Sequence, residues 1–291
     1  MILGLLFGVI VGLSLGLTGG GGSILAVPML VYGIGLPASQ AIGVSLATVG
    51  AVTLAGALHR LRAGQVETRV GLILAAGGVA TAPLGSWIGR HLESRVVLGG
   101  FAVLMLFISV RMARKAVRDP RGAAIVRADT RIPVDHDNGA YCPWTPDGRV
   151  RITGRCGITL ALAGLGTGLL SGLFGVGGGF VIVPSLIAFT RMSAHRAVAT
   201  SLLVIATISA AGLASFLLGG GSLPLGTTAV FVAGGLCGMA LGTALAVRLS
   251  PVALQKVFAA VVAIVAIFVI VKNLVGPAPT QPHDGAASTS R

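Results

Sequence analysis

Eight glycines in two strings carry the first chemical signal in this chain. Gly19, Gly20, Gly21 and Gly22 run ahead of Ser23; Gly175, Gly177, Gly178 and Gly179 repeat the pattern, and neither string has a charge beside it. Glycine is a poor helix former, so each string predicts a break in an apolar helix. A broken helix leaves backbone N–H groups unpaired, and lipid offers them no acceptor. They must face protein, water or a ligand. Consecutive glycines let the backbone curl into a concave set of N–H donors. A helix restarting at about Ser23, and another at about Gly179, would each present roughly half a positive charge there. Two such starts converging would bind a small anion without a buried Lys or Arg, which costs about 2.5–3.5 kcal/mol on insertion scales. The hydroxyls of Thr18, Ser23, Ser45, Thr200 and Ser201 are candidates to complete the shell. The competing reading is close helix packing, which suits Gly12/Gly16 and Gly168/Gly172 as small-xxx-small contacts, and hydroxyls that bond back to their own helix.

The two strings belong to a longer repeat. GLSLGLTGGGGSILAVP (Gly12–Pro28) aligns without a gap on GLLSGLFGVGGGFVIVP (Gly168–Pro184), matching Pro28 to Pro184. The register continues: Ala41, Ser45 and Leu46 meet Ala197, Ser201 and Leu202, and with one residue of slip Ala76–Leu92 meets Ala233–Leu249. The expected organisation is a first transmembrane repeat at 1–113, a polar connector at 114–156, a second repeat at 157–274 and a disordered tail at 275–291. Matched glycine-broken segments in two halves are the sequence pointer to a transporter's substrate site. Whether the repeats are parallel or inverted depends on whether each half crosses an even or an odd number of times, and the sequence leaves both open.

The elements that must position these residues are membrane helices. Of 291 residues, 54% are hydrophobic and 10% charged, and mean hydropathy is +0.95; soluble domains carry about 25% charged residues. Apolar runs fall near 2–36, 38–58, 69–90, 95–113, 157–190, 195–219, 225–247 and 252–274. A crossing needs about 20 residues. The predicted fold is therefore an all-α polytopic membrane protein with about eight transmembrane helices in two homologous four-helix halves, each half opening with a Gly-broken helix. The net charge of +13 does not mark a nucleic-acid binder, because the basic residues cluster between apolar runs. The positive-inside rule then places Arg60, Arg62, Arg69 and the connector in the cytoplasm, with Arg90, Arg95, Arg191, Arg196, Arg248 and Lys256 across the membrane. Both termini are expected on the cytoplasmic face of the inner membrane, and MILGLLFGVIVGL is read as a retained first span.

Three cysteines, Cys142, Cys156 and Cys237, predict reduced thiols with no disulfide framework, the first two lying in a connector assigned to the cytoplasm. Asp147–Gly148 predicts a turn before a short strand. Asp135, His136, Asp137 and Cys142 match no zinc spacing, so no metal and no cofactor are expected.

All eight acidic residues fall outside the predicted spans. Proton-coupled carriers commonly use an intramembrane carboxylate or His. Here only His59, at the edge of a span beside Arg60, stands near such a place. His195 and Arg196 form a basic cluster at one mouth, fitted either to funnel anions or to anchor headgroups. His59, His195 and Arg196 are the candidates for gating or coupling. An anion leaving a negative-inside cell runs downhill by about 2.3 kcal/mol per charge per 100 mV, so export would need no coupling ion.

GLFGVGGGFVIVP, HRAVATSL a dozen residues later, and GALHRLRAGQVE in the first half resemble the sulfite exporter TauE/SafE family over about 230 residues, excluding connector and tail. The resemblance implies an eight-span permease of two four-span halves that moves sulfite, a sulfonate or another small sulfur-containing anion. It places the motif on Gly19–Gly22, Gly175–Gly179, Pro28, Pro184, Ser45–Leu46 and Ser201–Leu202. The first half departs from the pattern at Gly20, which extends the string, and at Val44, opposite Thr200, so unequal half-sites are expected.

Other readings remain beside this one: an importer of an organosulfonate, a cation-coupled carrier with Na⁺ on broken-helix carbonyls, or an accessory protein that transports nothing. An enzyme is not expected. Gly12–Gly16 fits G-x-S-x-G but lacks the strand-to-helix elbow and a His, and GVGGG lacks a βαβ unit. The expected partners are a small anion and the lipid bilayer, with no nucleic acid and the oligomeric state open.

Overall fold

The computed structural model describes residues 2–118, 142, 152–190, 192–246 and 251–275. The expected Asp147–Gly148 turn, the Asp135–Asp137 cluster and the tail lie outside them. The described residues form α1 (Ile2–Thr18), α2 (Gly21–Ile34, a mixture of 3-10, α and π turns), α3 (Ala38–Arg62), α4 (Thr68–His91), α5 (Ser94–Arg118), α6 (Gly154–Phe174), α7 (Gly179–Thr190), α8 (Ala194–Leu218), α9 (Leu225–Ala246) and α10 (Pro251–Val275). Six of these helices are long and apolar enough to cross a membrane: α3, α4, most of α5, α6, α8 and α9. α1, α2, α7 and the described part of α10 are shorter apolar helices. Leu72, Trp87, Ile158 and Phe107 are among many large apolar side chains left exposed, which suits a surface solvated by lipid rather than water.

Glycine spacing decides which helices meet. Along α1, Gly8, Gly12 and Gly16 recur every four residues and face the α9 backbone at Gly235, Met239 and Gly242. Along α6, Gly164, Gly168 and Gly172 face α4 at Leu74, Gly78 and Ala82 in the same way. Neither seam leaves room for a Cβ, so small residues permit the backbones to touch. α1 thus packs on α9, and α6 on α4. α3 and α8 cross at the centre in opposite directions, Leu46 beside Gly212 and Gly50 beside Ser209. α5 and α10 also run antiparallel: Asn273 Nδ2 donates to the Arg95 carbonyl at 3.0 Å, and Ser109 Oγ to that of Ala259 at 2.8 Å.

Both broken segments turn back instead of crossing. A Cβ on Gly22 would meet Ser14 and Leu15, one on Gly33 would meet Phe7, and Gly4 lies 3.7 Å from Ile34 Cδ1 by the same measure. α2 therefore runs antiparallel along α1 and ends beside its start. This alters the expected orientation. Arg196 was assigned to the face opposite Arg60 and Arg69, yet it pairs with Glu67, between them. The α1 start and the α10 end lie at the other end of the molecule from Arg60, so both depart from the expected sharing of one face with the connector. The cause is that a segment returning on itself adds no net crossing, so every later loop changes side.

The structure pairs two of the cysteines, which the sequence leaves as separate thiols. Cys142 and Cys156 form a disulfide with Cα atoms 5.1 Å apart and a separation of 14 residues. Both are fully buried, while Cys237 is free and exposed. The expectation rested on a compartment assignment; the fold brings Cys142 onto the first turn of α6.

Candidate functional site

α1 and α6 end in the same conformation, for the same reason. Gly19 and Gly175 terminate them at φ +73° and +70°, a left-handed C-terminal turn that a Cβ disfavours. Their N–H groups bond to the carbonyls of Leu15 and Ser171 at 2.8 Å. Each left-handed turn then receives a hydroxyl from the other half of the chain. Ser45 Oγ donates to the Gly175 carbonyl at 2.6 Å, and Ser201 Oγ donates to the Gly19 carbonyl at 2.8 Å and also to that of Val198. These are equivalent positions in the duplicated register. Both serines are fully buried, and their protons are committed to carbonyls that would otherwise be orphaned at the helix ends.

The breaks meet. A Cβ on Gly20 would stand 2.9 Å from Gly179 Cα, and one on Gly179 would stand 2.6 Å from Gly20 Cα. Gly19–Gly22 and Gly175–Gly179 are all buried. The two glycine strings thus lie back to back in the interior, under Ile205 of α8.

Their polar groups are not equally satisfied. In the first break Thr18 Oγ1 accepts from the Gly22 N–H at 3.2 Å while donating to the Ser14 carbonyl, and Ser23 Oγ donates to the Gly20 carbonyl at 2.9 Å. In the second, Phe174 occupies the position matching Thr18 and has no acceptor to offer. Among the described residues, nothing accepts from the N–H groups of Val176, Gly177 or Gly178. Gly177 and Gly178 both sit at φ +67°, a left-handed conformation that a Cβ disfavours. Ser209 Oγ lies 3.2 Å from where a Cβ of Gly177 would be. It is fully buried and has no hydrogen-bond partner among the described residues. Its counterpart Thr53 is satisfied by the carbonyls of Val49 and Gly50. Thr48 and Ser171 carry two more buried hydroxyls without partners.

A buried polar group without a partner costs about 1–3 kcal/mol. Here three amides and one hydroxyl, all donors, gather at one break. The arrangement can accept a small acceptor-rich species, such as an oxyanion. Among the described residues, no group of His, Cys, Asp and Glu could hold a metal ion.

The remaining candidates lie elsewhere. Thr200 Oγ1 accepts from the Glu67 N–H at 3.0 Å, at the start of α4. His195 Nε2 is 3.0 Å from Gln65 Oε1, and Arg196 Nη1 is 2.8 Å from Glu67 Oε1. His59 is exposed on the last turn of α3. These groups form a polar junction between the 63–67 loop and the start of α8, outside the breaks. Pro28 and Pro184 lie within α2 and α7. Sequence reasoning missed Ser209, a lone hydroxyl on an apolar helix. The available signal was the Thr18/Phe174 mismatch, which strips the second break of its acceptor.

Comparison with known proteins follows this geometry. The family model described as Sulfite exporter TauE/SafE matches residues 4–269. A "Probable membrane transporter protein" of Xylella fastidiosa (strain Temecula1 / ATCC 700964) is 37% identical over 268 residues, 90% of this chain and 92% of the relative. The "Probable membrane transporter protein YunE" of Bacillus subtilis (strain 168) is 29% identical over 227 residues, 76% of this chain and 78% of the relative. No solved structure matches the chain.

Proposed function

The chain belongs to the sulfite exporter TauE/SafE family and is a membrane transporter; on that footing we propose that it is a permease for a small sulfur oxyanion, sulfite or a sulfonate, held by the amides of Val176, Gly177 and Gly178 and the Ser209 hydroxyl. One observation carries this reading: the second break gathers buried donors that no described residue satisfies. Ser45 and Ser201 are then positioning residues. They neutralise the carbonyl ends of α1 and α6, so the positive character of the amides is not cancelled by neighbouring oxygen atoms. The duplicated halves, inverted relative to one another, supply the two sides of this site. The reciprocal packing of α1 on α9 and α6 on α4, with the opposite directions of α3 and α8, supports that organisation. Two spans beyond the six long helices would come from α10 and from the α1–α2 hairpin, with α7 folding back along α6, which is already counted among the six.

The test is Ser209→Ala. A hydrogen bond to a charged group contributes about 1.5–3 kcal/mol, so sulfite affinity should fall roughly ten- to a hundredfold. Without ligand, the variant should unfold at the same temperature as the parent or higher, because it removes an unpartnered buried hydroxyl. Lower stability without ligand, together with unchanged sulfite affinity, would make Ser209 structural and the assignment wrong.

Orientation follows from charge. Arg60, Arg62, Arg69, Arg155 and Arg196 gather at one end, against Arg90, Arg95 and Lys272 at the other. The positive-inside rule makes the first end cytoplasmic, which puts residues 2 and 275 on the outer face. The disulfide at the arginine-rich end pulls the other way, since disulfides persist in oxidising compartments. Charges from several short loops outweigh one cystine. Acid quenching of cells followed by maleimide labelling decides: the bond formed in purified protein should leave Cys237 alone reactive, whereas all three thiols should label in quenched cells. A bond already intact in cells would reverse the orientation.

A further inference from the structure

Arg60 stands at the arginine-rich end of α3 and is not part of the breaks. Its Nη1 is buried and has no hydrogen-bond partner among the described residues. The acidic residues within the described chain are Glu67 and Glu93. Glu67 is held by Arg196 at 2.8 Å, and Glu93 follows α4 at the opposite end of the molecule. Arg60 is therefore a partly buried cation without a counter-charge among the described residues, although its neighbours are polar. Gln65 donates its N–H to the Arg60 carbonyl at 3.1 Å and turns its side chain to His195. Arg60 and His195 lie close enough for their charges to interact.

The direction of Arg60 follows from helix spacing. Gly56, four residues earlier on the same face of α3, packs first against Met239 of α9 and then against Leu202 of α8, the latter at 3.2 Å from a built Cβ. α3 and α8 are antiparallel, so Arg60 comes level with Val198, one turn nearer the start of α8. Val198 is the residue that packs on Gly19. Arg60 is thus level with the turn of α8 that packs on the first break. The register of the duplication places Phe216 at the equivalent position on the other side. Phe216 is buried, and its ring fills the space beside Gly43 and Gly221. The two equivalent positions thus differ: one carries a guanidinium with no counter-charge among the described residues, the other an aromatic ring packed into the interior.

We infer that Arg60 forms an oxyanion-docking subsite at the arginine-rich mouth, taking a sulfite-like ion by paired guanidinium hydrogen bonds before it passes to the glycine breaks. The inference rests on the anion reading of the breaks and adds a separate site. A guanidinium suits this task because its planar fork matches two oxygens of one ion. A lipid phosphate shares that chemistry. The free ion is favoured because Arg60 Nη1 is buried, close to His195 and level with the α8 turn that packs on Gly19.

The experiment is calorimetric titration of sodium sulfite into Arg60→Gln, Arg60→Lys and parent protein in uncharged, lipid-free detergent, with sulfite flux measured in parallel in liposomes. Arg60→Gln should lose affinity tenfold or more and raise the KM for flux with little change in maximal rate, whereas Arg60→Lys should retain much of both. Equal affinity in all three overturns the inference, as does absence of sulfite binding to the parent. Parent protein that binds sulfite through Arg60 but shows no flux would defeat the transport reading and leave the subsite standing. If Arg60→Gln weakens phosphatidylglycerol binding while sulfite affinity is unchanged, the site belongs to lipid and the inference fails. A measurement on unaltered protein covers a variant that does not fold: phenylglyoxal labelling of Arg60, read by mass spectrometry, should slow several-fold in sulfite, and an unchanged rate overturns the inference.

Discussion

Gly179→Ala should abolish most transport while leaving a protein that still folds. The added methyl would stand 2.6 Å from Gly20 Cα and 2.7 Å from the Gly20 carbonyl oxygen, about 1 Å inside ordinary contact. The Gly20 contacts are backbone and cannot swing away as a side chain could, and the end of the Ile205 side chain, nearer still, must move as well. The breaks must separate. Overpacking of this kind costs about 1–3 kcal/mol, which lowers the unfolding temperature without eliminating the fold. The larger effect falls on the amides of Gly177 and Gly178, which move with Gly179. Sulfite flux should fall more than tenfold. Gly166→Ala is the matched control: it lies on α6 with nothing within 4 Å of a built Cβ, and alanine favours helix by about 0.8–1 kcal/mol. Flux in Gly179→Ala equal to that of Gly166→Ala would show that contact between the breaks has no part in transport.

The double variant Ser45→Ala, Ser201→Ala should be the least stable of the conservative changes. Each serine satisfies a buried carbonyl at the end of a broken helix, and each loss leaves that oxygen short of a donor at about 1–3 kcal/mol. Together, at about 2–6 kcal/mol, they reach at most the lower end of the total stability of folded proteins, about 5–15 kcal/mol. Because Gly20 and Gly179 touch, the two losses should not simply add. Thermal unfolding of the two single variants and the double variant measures the coupling. A double variant as stable as the parent would mean that the serines do not hold the breaks.

These predictions depend on features that differ in how openly the chain displays them. Four glycines amid apolar residues have few uses other than to break a helix, and the matched offset of Ser45 from Gly19 and of Ser201 from Gly175 marks the serines as a pair. That pairing was visible, but its purpose was not: from sequence both looked like ligands, whereas the hydroxyls donate to carbonyls across the duplication. The turn-back was hidden for a different reason. Residues 2–34 have the same composition whether they cross or return, and the decision lies in contacts such as Gly33 with Phe7. Every later loop depends on it, which is why Arg196 was assigned to the wrong end. Ser209 was hidden because a single hydroxyl on an apolar helix ordinarily bonds its own backbone, as Thr207 does. The glycine seams, by contrast, follow directly from a spacing of four.

The crossed serine bonds also constrain how such a chain can have arisen. A polypeptide ending near residue 113 would hold Ser45 with no Gly175 to receive its proton, and its own Gly19 carbonyl would lack Ser201. A second copy inserted upside down would repair both defects at once, whereas a copy inserted the same way up would repair neither. On the proposed inverted arrangement, a half-length ancestor would have needed a product that entered the bilayer in both orientations. Joining the two copies in one chain would fix their ratio at one to one and let matched positions such as Thr18 and Phe174, or Arg60 and Phe216, differ.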